Sequence, residues 1–174
     1  MEEKDKKRIL IAILVLSSIG LLFSAYLLKL HFVPTEGVCD INNIVSCVLT
    51  NTSTYSELLD IPVAWFGIMW FLVSIVLSWK ALQAEKVSVE GLFWWNITGI
   101  AFVAYMIIAE FILKSLCPYC TIVHGTVTAT LILSVLLWRA EENKATFSQA
   151  LKKFRWWILG IIIVFIASYY GYNL

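Results

Sequence analysis

Charge is what this sequence has least of. Only 14% of its 174 residues are Asp, Glu, Lys or Arg, and 60% are hydrophobic, giving a mean hydropathy of +0.83. An ordinary soluble domain carries about 25% charged residues. A surface this poor in charge does not keep a folded chain dispersed in water, which excludes a soluble enzyme and a disordered tail. A nucleic-acid binder is excluded too, because the net charge is +1 and no basic patch is present. Haem ligands, a Gly-rich dinucleotide loop and iron–sulfur cysteine spacing are all missing. So are internal repeats and low-complexity tracts. What remains is an all-α integral membrane protein, with residues 1–174 read as a single membrane domain.

A helix crosses a hydrocarbon core of about 30 Å with about 20 apolar residues. Five segments qualify: residues 9–28, 62–79, 92–113, 117–138 and 156–174. Glu110 is the lone charged residue within any of them. The first apolar stretch is too long for the core of a signal peptide and is followed by no small-residue cleavage site, so it reads as a retained helix. The reading is a four-helix transmembrane bundle plus a fifth transmembrane helix.

The basic residues orient the bundle. Lys4, Lys6, Lys7 and Arg8 precede span 1, Lys80 and Lys86 follow span 2, and Arg139, Lys144, Lys152, Lys153 and Arg155 follow span 4. Eleven of the thirteen Lys and Arg thus lie on one side, leaving only Lys29 and Lys114 opposite. The positive-inside rule makes the crowded side cytoplasmic, with the N-terminus in and the C-terminus out. Trp79, Trp94, Trp95, Trp138, Trp156 and Trp157 fall at that boundary and read as an aromatic belt.

The outer loop, residues 31–61, has no Lys or Arg but carries Glu36, Asp40, Glu57 and Asp60. At about 30 residues it is long for a connector and reads as a cap. All four cysteines lie on this side: Cys39 and Cys47 in the loop, Cys117 and Cys120 as Cys117-Pro118-Tyr119-Cys120 at the outer start of span 4. Pro118 suits the first position of a helix, which places Cys117 at the cap, facing unpaired N–H groups that favour exchange chemistry at its sulfur. Three readings of the cysteines stand: two inert structural disulfides, a thiolate zinc site, and a redox relay. The relay is preferred, because one pair sits in a loop and the other is fixed on a helix. A lipid-soluble quinone is the acceptor that the membrane itself offers. His124, four residues after Cys120, shares its helix face and is read as a hydrogen-bond partner for a quinone carbonyl, with a packing histidine as the alternative. Glu110, four residues before Lys114, is read as a local ion pair, with a proton path as the alternative.

These residues resemble the vitamin K epoxide reductase family in its prokaryotic form. The resemblance runs from Cys39-Asp40-Ile41-Asn42 through Ser46-Cys47 and Ser53-Thr54-Tyr55-Ser56. It continues in Ile61-Pro62-Val63-Ala64-Trp65-Phe66-Gly67 and ends in Cys117-Pro118-Tyr119-Cys120 with His124, covering about residues 9–138. It implies a four-helix bundle around a quinone, lidded by a short helix in the outer loop. By resemblance, Cys117 and Cys120 are the catalytic pair, with Cys120 beside a quinone of ubiquinone, menaquinone or vitamin K type. Cys39 and Cys47 match the shuttle pair that takes electrons from a thioredoxin-like protein, and Ser53 matches a Ser/Thr associated with the loop and activity. His124 stands where animal enzymes have Tyr, and Val63 where they have Asn; both departures favour plain quinone reduction. Many relatives carry an exported thioredoxin-like domain after span 5, whereas this chain stops at Leu174, so the implied partner is a separate exported protein. The expected function is a thiol oxidase supporting disulfide formation in exported proteins, in a prokaryotic cell membrane. A vitamin K epoxide reductase proper and a non-enzymatic membrane protein with structural disulfides are the alternatives.

Overall fold

The computed structural model describes residues 2–34, 39–41, 44–83 and 86–141, together with Lys152 and Arg155. Among the described residues, four helices are long and apolar enough to cross a membrane: α1 (Glu3–Phe32), α3 (Val63–Leu82), α4 (Lys86–Leu113) and α5 (Pro118–Ala140). They overlap the first four expected spans and overrun them at several ends, most of all at the basic start of α1. The fifth expected span lies outside the described residues. Between α1 and α3 the chain forms the short helix α2 (Cys47–Asn51), a 3-10 turn (Thr54–Ser56) and a hairpin of β1 (Glu57–Leu58) and β2 (Ile61–Pro62). The hairpin pairs Glu57 with Pro62 and Leu58 with Ile61. Leu59 and Asp60 turn it at φ of 56° and 60°, the left-handed pair that a two-residue turn needs.

Each long helix packs against two neighbours, α1 and α4 on α3 and α5, in a four-membered ring. The inward residues of α1 are Leu10, Ile13, Ser17, Gly20, Ser24, Leu27 and Leu30. Their steps of three and four are the seam of a left-handed helix pair. The middle of that seam is small, as it must be where lipid is as apolar as the core and close packing drives association instead. Gly20 shows why: a Cβ there would overlap the ring of Phe71, which is wholly buried. On α3, Ser74 and Ser78 satisfy their hydroxyls on Trp70 O and Ser74 O of their own helix, at 3.0 and 2.7 Å, and so pack as small residues.

The tryptophan belt divides. Trp79 is 60% exposed, as a belt residue is. Trp94 is 38% exposed as well; it and the half-buried Trp138 donate their indole N–H to the buried Glu90 carboxylate at 3.3 and 3.1 Å, and Trp138 stacks on Phe93. Trp95 turns inward: it donates to Trp70 O at 3.0 Å while Trp70 donates to Trp95 O at 3.3 Å. A buried polar N–H needs a partner more than an amphipathic ring needs the interface. Trp156 and Trp157 lie outside the described residues.

The Gly20–Phe71 approach carries a test. Gly20→Val is expected to cost about 1–3 kcal/mol by overpacking, read as a lower thermal midpoint in detergent. Adding Phe71→Ala to it is expected to cost less than the sum of the two single changes, because the residues are in contact. An unchanged midpoint in Gly20→Val would show that the seam tolerates a side chain there.

Candidate functional site

Two helix starts meet beneath the cap. At one, Cys117 caps α5: Pro118 occupies the first turn and the Cys117 sulfur accepts the Cys120 N–H at 3.2 Å. At the other, Ser46 caps α2, its hydroxyl accepting from Leu49 N at 3.0 Å and donating to Asp40 Oδ1 at 2.5 Å. The same Asp40 oxygen accepts from Val48 N at 3.0 Å. Backbone bonds stitch the two starts together: Ser46 N–H donates to Leu116 O at 3.2 Å and Leu116 N–H to Ile44 O at 2.7 Å.

That stitch brings all four cysteines into one buried cluster with Leu27 and Leu30. Cys39 and Cys47 are joined as a disulfide, with Cα atoms 5.6 Å apart, while Cys117 and Cys120 are free thiols. The Cys117 sulfur lies 3.3 Å from the Cys47 sulfur. Chemically, a thiol in contact with a disulfide sulfur is the arrangement from which thiol–disulfide exchange starts. The sulfurs of Cys39, Cys47 and Cys117 all lie within 4.8 Å of one another. With two of the three in a disulfide, they offer a metal one free thiol.

The cap is pinned to α1. His31 meets Asn51 O with Nδ1 at 2.7 Å and Glu57 Oε1 with Nε2 at 3.1 Å. A carbonyl can only accept, so Nδ1 carries a hydrogen. The Asn51 side chain in turn donates to Leu27 O at 2.6 Å.

Beneath the cluster lies a cavity of about 370 Å³, within the range of about 300–1,000 Å³ usual for small-molecule sites. Cys120 and His124 line it from α5, Asn51 and Ser56 from the cap, and Phe66, Trp70, Trp95 and Phe102 from α3 and α4. The reciprocal Trp70–Trp95 pair ties α3 to α4, and Phe66 stacks on Phe102 with centroids 5.9 Å apart. Gly99 leaves room for the Trp70 indole, which a Cβ would meet.

Five of the six candidates read from the sequence therefore gather here: the four cysteines at the cluster and His124 on the cavity wall beside Cys120. Ser53 stands one layer out. It donates to Thr50 O at 2.9 Å, and its own carbonyl accepts from Ser56 N and Ser56 Oγ at 2.9 and 2.7 Å.

The expected Glu110–Lys114 ion pair does not form. Lys114 takes φ of 51° and ends α4 in a reversed turn, with Lys114 N–H on Phe111 O and Ser115 N–H on Glu110 O. That left-handed residue at the helix end swings the lysine off the helical face an i,i+4 pair requires. Glu110 points instead at the thiols, its Oε1 accepting the Cys117 N–H at 3.2 Å. Glu110, Asn51, Ser56 and Trp95 are thus site residues that sequence reading missed. The available signals were the seven-residue spacing from Glu110 to Cys117 and the four-residue spacing from Cys47 to Asn51, both usable only once the turns between them are known.

The model of the Vitamin K epoxide reductase family matches residues 11–135, and the chain belongs to that family of oxidoreductases. No curated protein matches the chain.

The sulfur contact makes a direct prediction. In Cys120→Ser, attack by Cys117 on Cys47 forms a Cys47–Cys117 disulfide and releases Cys39 as a thiol. With no Cys120 to resolve it, that bridge is expected to accumulate and to be found by peptide mapping. A Cys39–Cys117 bridge in its place would reverse the order of the loop pair.

Proposed function

We propose that this membrane oxidoreductase oxidises thiols on the outer side of the membrane and passes their electrons to a quinone. The contact between Cys47 and Cys117 at 3.3 Å carries this reading, because it joins a loop pair to a helix pair within reach of exchange. Electrons enter at Cys39–Cys47 from a thioredoxin-like exported dithiol and cross to Cys117–Cys120. Free Cys117 and Cys120 beside a closed Cys39–Cys47 disulfide correspond to the state after that transfer.

Cys120 and His124 both line the cavity, so the reduced pair has one thiol toward the loop and one toward the acceptor. A quinone of ubiquinone, menaquinone or vitamin K type supplies a sink for two electrons and two protons. The aromatic walls suit a flat ring, and the apolar lining suits its isoprenoid neighbourhood. Among the described residues no protein group bonds the His124 ring, which favours a ligand-facing role over the packing role. Val63, also on the wall, offers no hydrogen bond, in keeping with plain quinone reduction rather than epoxide reduction. Ser53 is a positioning residue, acting through Ser56, which reaches the cavity.

Purified protein is expected to oxidise a thioredoxin-like dithiol only when quinone is present; dithiol oxidation that ignores quinone would end the reading. In the same assay His124→Ala removes one hydrogen bond, worth about 0.5–1.5 kcal/mol, and is expected to raise the quinone KM about 3–10-fold. Exchange between the dithiol and Cys39–Cys47 should be unaffected. Unchanged KM and turnover would move the quinone away from His124.

Orientation has its own check. Leu59 is 76% exposed on the cap, and Gln83 is exposed at the other end of α3. A membrane-impermeant maleimide on intact cells is expected to label Leu59→Cys but to reach Gln83→Cys only after permeabilisation. The opposite pattern would invert the protein and remove its role in export.

A further inference from the structure

Closing the Cys117–Cys120 disulfide releases two electrons and two protons, and the protons need somewhere to go. Cys117 is wholly buried and Cys120 is 5% exposed, so bulk water does not reach them directly. Cys47 is held in its disulfide and takes none. One carboxylate is in place. Glu110 Oε1 accepts the Cys117 N–H at 3.2 Å, and a carboxylate oxygen lies within 4.8 Å of both the Cys117 and Cys120 sulfurs. Among the described residues Glu110 has no Lys or Arg partner to neutralise it.

We propose that Glu110 is the proton acceptor for the Cys117–Cys120 dithiol, taking the Cys117 proton as the sulfur–sulfur bond closes. This rests on the relay proposed above. In balance, the two thiols become one disulfide, and the electron pair goes to the quinone. One proton passes to Glu110 and the other to the cavity side, where His124 stands one turn beyond Cys120. The quinone takes up two protons on becoming quinol. The titratable groups facing the carboxylate are the two thiols of α5. From α2, Cys47 touches Cys117 as a disulfide sulfur. The other helix packed on α4 is α3, whose only titratable residue, Lys80, lies at its far end.

The competing role is simple positioning: a carboxylate that only accepts the Cys117 N–H. Glu110→Gln separates the two, because the amide oxygen keeps that hydrogen bond but has no place for the proton. Glu110→Asp keeps the acid on a shorter stem. The full-length protein in detergent, reduced at Cys117 and Cys120, would be oxidised in single turnover by either of two probes. One is a short-chain benzoquinone, the other an apolar aryl disulfide, and both require the same deprotonation.

General-base assistance is typically worth about 100- to 10,000-fold. Glu110→Gln is therefore expected to be at least about tenfold slower near neutral pH with both probes. Its rate should climb about tenfold per pH unit as hydroxide takes over, while the wild-type rate stays nearly flat. Glu110→Asp should recover most of the loss. Wild-type rates and profile in Glu110→Gln would overturn the proposal. Equal slowing in Gln and Asp with the wild-type pH profile would overturn it too, leaving only positioning. An intact Cys39–Cys47 disulfide and thermal midpoint confirm that each variant is folded. If wild-type protein reacts with the aryl disulfide but not with the quinone, the quinone reading fails while the Glu110 comparison still stands on the disulfide arm.

Discussion

The backbone pairing of Val45 with Leu116 is the constraint on which the site depends. Each partner stands just before a helix start, Ser46 capping α2 and Cys117 capping α5. Aligning these two short stretches therefore aligns the helices that follow, and puts Cys47 against Cys117 although they are 70 residues apart in sequence. The pairing is itself prepared on both sides. Asp40 holds Ser46 and Val48 in the cap, and the left-handed turn at Lys114 delivers Leu116 from the end of α4. A lysine in that conformation costs about 1 kcal/mol relative to glycine. It persists because the turn satisfies the last carbonyls of α4 and aims Glu110 at the thiols in the same step.

The bundle below has the opposite character. Apolar burial gains little against lipid, so its order comes from close approach and from polar groups that must find partners. Ser17, Gly20 and Ser24 let α1 close on α3, while the paired indoles of Trp70 and Trp95 fasten α3 to α4. Together these contacts leave a cavity that is mostly apolar and aromatic, with Ser24, Asn51, Ser56, Thr98 and His124 as the polar residues of its lining.

Much of this was legible in the sequence, and the parts that were not share a cause. The first four spans and the cap follow from hydropathy and spacing, which are local, and the cysteine pairing from the resemblance. The start of α5 at Pro118 followed from the chemistry of a proline in a first helical turn. Glu110 was misread because an i,i+4 rule presumes a continuous helix, and the chain reverses at Lys114 itself. Trp95 was misread because position along the membrane normal is visible in sequence while direction around the helix is not; here its N–H found Trp70 O. Ser53 was read from resemblance, yet the hydroxyl on the cavity is that of Ser56. The turn between them, made by Ser53 O and the Ser56 N–H, decides which serine faces in. His31 went unremarked, since nothing local pairs the last turn of α1 with Glu57, 26 residues on.

In the relay proposed above, helix α5 meets the problem of coupling thiol chemistry at the membrane surface to an acceptor in lipid. Its first residue after the pairing, Cys117, touches the Cys47 sulfur of the cap, which is held by the network of Asp40, Ser46 and His31. Cys120, one turn on, faces the apolar cavity. One helical turn is about 5.4 Å, so the step from the sulfur at the cap to the sulfur at the cavity is a single disulfide closing along the helix. In that relay the polar cap is the part that meets a soluble dithiol protein and the apolar cavity the part that takes a lipid-soluble ring. The carboxylate of Glu110 lies within 4.8 Å of both the Cys117 and Cys120 sulfurs, so in the proposed relay it offers the Cys117 proton a way out that does not cross the cavity.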